Sequence, residues 1–135
     1  MSKILSYKDL IVWQKGMDLA EMVYYLTADY PKAELYSLTD QMRRAAVSIV
    51  SNIAEGKGRE SKQEYLHFLA IAQGSLTELE TQIMLSIRIK YLSDSEAARP
   101  LSLCDEIGRM LNKMRSQLKT VSPLTPNPYP LKPKT

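Results

Sequence analysis

QMRRAAVSIVSNIAEGKGR, Gln41 to Arg59, decides the fold class of this 135-residue chain. At about 3.6 residues per turn, Leu38, Met42, Ala45, Ile49 and Ile53 share one face of a helix. Gln41, Arg44, Ser48, Asn52 and Glu55 share another. The apolar stripe calls for a core, and the polar stripe calls for hydrogen-bonding neighbours. Small residues between them, Ala45, Ala46, Ser48, Ala54 and Gly56, would let a second helix backbone approach closely.

The same signals recur on both sides of this stretch. Ser6 with Asp9, Ser37 with Asp40, Ser61 with Glu64 and Ser93 with Glu96 have the spacing of N-terminal caps. They predict helices from Tyr7 or Asp9 to Ala28, from Leu38 to Gly56, from Ser61 to Tyr91, and from Ser93 to Thr120. The first would turn Leu10, Trp13, Met17, Ala20, Tyr24 and Thr27 inward and end at Tyr30-Pro31. Gly56 and Gly58 would stop the second. The third carries Tyr65, Leu69, Ala72, Leu76, Leu79, Ile83 and Ile87 on one face. The fourth carries Leu103, Ile107, Met110, Met114 and Gln117 or Leu118, with an uneven start at Pro100.

Short connections favour antiparallel neighbours, so the expected fold is all-α, an antiparallel up-down-up-down four-helix bundle over residues 1–121. If the second and third helices turn about Gly58 and Arg59, Arg44 faces Gly74 and Ser75. Arg43 or Arg44 then reaches Glu78 as an ion pair. A structural polar network of Arg43, Arg44, Ser48, Asn52, Glu55 and Glu78 follows, with Gly74 marking a close helix crossing. Residues 122–135 contain five prolines and read as a flexible tail.

Composition narrows the function. The chain is 44% hydrophobic, enough for one real core, and its one cysteine, Cys104, cannot form an internal disulfide. With neither a secretion leader nor an apolar run long enough for a bilayer, the expectation is a cytoplasmic protein. Net charge is +3, unevenly spread: from Ile107 onward there are six cations and no acid, which leaves the rest at −3. Arg109, Lys113, Arg115 and Lys119 could face phosphates, as could the glycine-bracketed turn Lys57, Arg59 and Lys62. They could equally be solvated faces.

Chemistry is sparse. His67 is the sole histidine, and Glu64-x-x-His67 supplies a di-iron spacing once, so neither metal nor cofactor is expected. Cys104 sits among apolar residues and reads as an inert packing thiol. GKGR at Gly56–Arg59 follows a helix, not a strand, and lacks the Lys-Ser/Thr ending of a phosphate loop. No convergent catalytic group is apparent, so the expectation is not an enzyme. Tyr24, Tyr25, Tyr30, Tyr36, Tyr65 and Tyr91 could stack on RNA bases or pack at the edges of a core.

The first helix has a second apolar stripe, Val12, Gly16, Leu19, Val23 and Leu26, more than one bundle core requires. Burial against another subunit would use it, and head-to-tail contacts close into a ring.

Three segments, YKDLIVWQKGMDLA, LTDQMRRAAVSIVSNIAEGKGR and EYLHFLAIAQGSLTELETQI, resemble the four-helix-bundle family of 23S ribosomal RNA intervening-sequence proteins, over Tyr7 to Lys119. That resemblance implies small homo-oligomers, typically homopentamers. It also implies kinship with the accessory variability protein of diversity-generating retroelements, which partners a reverse transcriptase and binds nucleic acid. Two functions are therefore expected: nucleic-acid binding, to RNA or DNA, through the basic surface, or a protein-interaction scaffold that serves a reverse transcriptase. Nothing about the proline-rich tail follows from the resemblance.

Overall fold

In the computed structural model, residues 6–120 are described. A 3-10 turn, Tyr7–Asp9, leads into α1 (Ile11–Thr27), and a second, Lys32–Glu34, precedes α2 (Leu38–Lys57). Then come α3 (Lys62–Arg88) and α4 (Asp94–Lys119). The tail expected over 122–135 lies outside the described residues.

Local chemistry accounts for most of the boundaries. Ser6 and Asp9 form a reciprocal capping box, but on the 3-10 turn, so α1 proper begins at Ile11. Ser61 and Ser93 cap α3 and α4 by accepting the amides of Glu64 and Glu96. Ser37 does not cap α2. Its hydroxyl instead donates to Glu34 Oε1 at 2.6 Å. Gly58 ends α2 with an ordinary right-handed φ of −79°.

The one positive φ among the described non-glycine residues is Lys90, at 70°. Lys90 N–H donates to the carbonyl of Ile87, and Tyr91 N–H to that of Ser86, which closes α3 in the Schellman pattern with lysine where glycine is usual. α4 continues through Pro100, which is buried near its start.

Each helix lies alongside two others, α1 beside α2 and α4, α3 beside α2 and α4, and the diagonal pairs do not bring their backbones close. The pairs run antiparallel. Gly16 meets Val50, while Thr27, farther along α1, meets Arg43. Gly56 meets Phe68, while Met42 meets Ser86. Lys15 meets Glu106, and Arg99 sits near Met22.

The core contains Leu19, Met42, Ile49, Ile53, Leu69, Leu79, Ile83, Leu103, Ile107 and Leu111, each fully buried. In α2 and α3 these are the expected stripes. In α1 the inward face is a mixture: Ala20 and Thr27 of the expected stripe are buried together with Val12, Gly16, Leu19 and Val23 of the second, while Met17 and Tyr24 of the expected stripe are 44% and 45% exposed. Trp13 is half-buried and meets Tyr7 edge-on, with ring centroids 5.2 Å apart.

Gly74 is not a crossing point, because a Cβ there would meet nothing within 4 Å. The close approaches are at Gly16, where a Cβ would lie 2.7 Å from Val50 Cγ1, and at Gly56, 2.9 Å from Phe68 Cβ.

Candidate nucleic-acid interface

The antiparallel order sets which cations can act together. The α2–α3 turn and the last turns of α4 lie at the same end of the bundle, because α3 starts where α4 finishes. Lys57, Arg59 and Lys62 therefore share an end with Lys113, Arg115 and Lys119.

These side chains differ in availability. Arg59 donates to Glu55 Oε2 at 2.9 Å and lies over the Phe68 ring, 4.9 Å from its centroid. Arg109 stands nearer mid-helix, paired with Asp105 at 3.0 Å one turn earlier. Arg115 bridges α4 to α3, its NH1 donating to Gln73 Oε1 at 3.4 Å, while its Nε is buried without a partner. Lys57, Lys62, Lys113 and Lys119 form no ion pair with a described acid. Lys57 is half-buried and the other three are exposed.

The polar residues of α2 divide differently from the sequence expectation. Ser48 and Ser75 share a 2.7 Å hydrogen bond across α2 and α3, and Asn52 donates to the Ser48 hydroxyl and carbonyl. The register is thus about one helical turn later than a turn centred on Gly58 and Arg59 would give, and Ser48, not Arg44, faces Ser75.

The predicted ion pair from Arg43 or Arg44 to Glu78 is not formed. Glu78 instead accepts from Gln82 Nε2 at 3.4 Å. Arg44 turns outward, 78% exposed, to Asp40 at 2.8 Å, and that carboxylate raises its pKa by hydrogen bond and charge. Arg43 is the structural arginine. Its Nε donates to Thr27 Oγ1 at 2.9 Å, its NH2 to the Tyr24 carbonyl at 3.4 Å, and its guanidinium covers the Tyr24 ring at 4.6 Å. The pairing was not readable in the sequence because Thr27 and Tyr24 lie on α1, across a connector of unknown path.

Cys104 is buried, and burial, with a lesser push from Glu80, raises its thiol pKa to about 12, which removes thiolate at neutral pH. His67 is exposed, its ring edge-on to Phe68 at 5.6 Å. Among the described residues no group of three or more His, Cys, Asp or Glu side chains is arranged to hold a metal ion. No described helix is long and apolar enough to cross a membrane. Tyr30 is buried against Tyr91, ring centroids 5.1 Å apart, and Tyr65 packs beside Gly56, with burial raising the pKa of both Tyr30 and Tyr65. Among the described tyrosines, Tyr25 and Tyr36 are the most exposed, at 71% and 91%.

No curated protein matches the chain. A solved structure does: a protein of unknown function from the S23 ribosomal protein family of Bacteroides thetaiotaomicron. It is 24% identical with a TM-score of 0.70, over 82% of this chain and 100% of that one. At that identity the likeness speaks for the fold. The model of the family described as 23S rRNA-intervening sequence protein matches residues 8–113. With most of the bundle inside that match, the chain belongs to the 23S rRNA-intervening sequence protein family.

Proposed function

We propose that this protein is a non-enzymatic, cytoplasmic homo-oligomer that binds RNA through the basic end of its bundle. The observation that supports the reading is that Lys57 and Lys62 lie at the same end of the bundle as Lys113 and Lys119, and that none of the four forms an ion pair among the described residues. Arg59 stands at the rim, stacked on Phe68. Arg109 and Arg115 contribute less, since Asp105 and Gln73 already engage them. A pentamer, which the family resemblance implies, is the expected assembly.

A labelled structured RNA titrated with the full chain should lose affinity on the order of a hundredfold between about 50 and 200 mM salt, the release expected for about four neutralised phosphates. Replacing the four lysines by glutamine should flatten that dependence without unfolding the helices. Absence of binding at about 50 mM salt removes the RNA reading.

The second reading, a scaffold docking a protein such as a reverse transcriptase, draws on Ile71 and Leu85, apolar residues exposed along α3, and on Ile89 just past its end. It predicts partner binding that salt barely weakens and that the lysine changes leave intact.

A further inference from the structure

A hollow of ≈450 Å³ lies at the basic end of the bundle, between the 3-10 turn ahead of α1 and the last turn of α2. Tyr7, Ser51, Ala54, Glu55, Gly58 and Arg59 line it. The Tyr7 ring is half-buried and braced edge-on by Trp13, 5.2 Å between centroids, which makes it a fixed aromatic wall. Glu55 supplies a carboxylate. Its Oε2 accepts from Arg59 at 2.9 Å, Arg59 itself rests on the Phe68 ring, and no described residue donates to Oε1. Resting on the RNA reading above, we propose that this hollow is the subsite for an unpaired guanine base of the bound RNA.

Donor and acceptor chemistry selects the base. Unpaired bases are held by stacking on an aromatic ring and by hydrogen bonds from their Watson–Crick edge. A carboxylate is an acceptor only, with lone pairs on both oxygens, so Glu55 Oε2 can take a second donor besides Arg59 while Oε1 takes another. Guanine fits that demand. It alone among the RNA bases sets two donors side by side on this edge, N1–H and the N2 amino group. Adenine and cytosine set a ring nitrogen acceptor beside their amino group, and the N–H of uracil lies between two carbonyls, so each of these brings a lone pair against the carboxylate.

Position supports the same occupant. Exposed Lys8 follows Tyr7 and half-buried Lys57 precedes Gly58, and neither forms an ion pair among the described residues. These two cations offset the repulsion between Glu55 and the phosphates on either side of the base. Tyr25 and Tyr36, although more exposed, stand toward the opposite end of the bundle, away from Lys57 and Lys62.

Trp13, the chain's only tryptophan, reports on the hollow through its contact with Tyr7. The test titrates the full chain at low salt with an RNA hairpin whose loop is all uridine, and with the same hairpin carrying a single loop guanosine. The guanosine hairpin should bind about tenfold tighter, as a bidentate base contact allows, and it alone should change Trp13 emission. Glu55→Gln should abolish that preference while helical circular dichroism stays the same, because the exposed pair with Arg59 contributes little to the fold. Equal affinities for the two hairpins, both falling as salt rises, would overturn the guanine subsite and leave the RNA reading standing. So would a guanosine preference that survives Glu55→Gln. Failure of both hairpins to bind would remove the RNA reading and the subsite together, and guanosine monophosphate changing Trp13 emission would then assign the hollow to a free nucleotide.

Discussion

Two glycines separate what a helix tolerates from what a bundle demands. Gly16 lies under Val50, where a Cβ would sit 2.7 Å from a stiff branched methyl, so Gly16→Ala should cost about 1–3 kcal/mol through overpacking. Gly74 has open space around it inside α3, so Gly74→Ala should add about 1 kcal/mol through helix propensity. Urea melts of the two variants should shift in opposite directions, and a shared direction would contradict the packing described. Sequence pointed to Gly74 because a mid-helix glycine looks costly, yet the better signal was its company. Gly16 falls in register with Val12, Leu19 and Val23, all buried, whereas Gly74 falls in register with exposed Glu78. The arginine pair follows the same logic: neighbours in sequence point about 100° apart on a helix, so Arg43 meets α1 while Arg44 meets water.

Between elements, the connector before α2 is held by one carboxylate. Glu34 accepts from Ser37 Oγ at 2.6 Å and from Tyr91 Oη at 2.8 Å, tying the α1–α2 connector to the α3–α4 turn. Those hydrogen bonds favour the charged form and hold the Glu34 pKa below its ordinary value, while the same contact raises that of Tyr91. A carboxylate depressed in the folded state stabilises the fold above its unfolded pKa, and that contribution is lost as pH falls through the folded value. Glu34→Gln should therefore start less stable at neutral pH and lose less stability than the parent between about pH 6 and pH 3, as read by denaturant midpoints. Parallel pH profiles would show that the tie contributes nothing. Helix number, the Ser61 and Ser93 caps and the inward faces of α2 and α3 were legible because each rests on local spacing. Ser37 was misread as a cap because a side chain three residues back, Glu34, competes for its hydroxyl.

At the scale of the molecule, the residues that α1 leaves facing outward bear on assembly. With Val12, Leu19 and Val23 used by the core, Met17 and Tyr24 are among the apolar residues that α1 leaves exposed, and Tyr24 shares an outer groove with Val47 of α2. Val47 is 41% exposed, and Arg43 and Arg44 lie on the same groove. Exposed apolar side chains beside arginines are residue types that subunit contacts use, which makes this face one to test for assembly. A two-sided apolar α1 was legible in sequence, but which side served the core was not. That choice depends on Gly16 admitting α2 at close range, a contact between residues more than thirty positions apart. If this outer face joins protomers, Met17→Lys combined with Val47→Lys should lower the light-scattering mass from an oligomer, five protomers being expected, to the 15.3 kDa monomer. Helical circular dichroism should stay unchanged, because both positions point away from the core. A parent chain that already scatters as a monomer would refute subunit contact through this face, and a double variant that keeps the oligomeric mass would move the contact elsewhere, with the exposed Ile71 and Leu85 row of α3 the next surface to carry it.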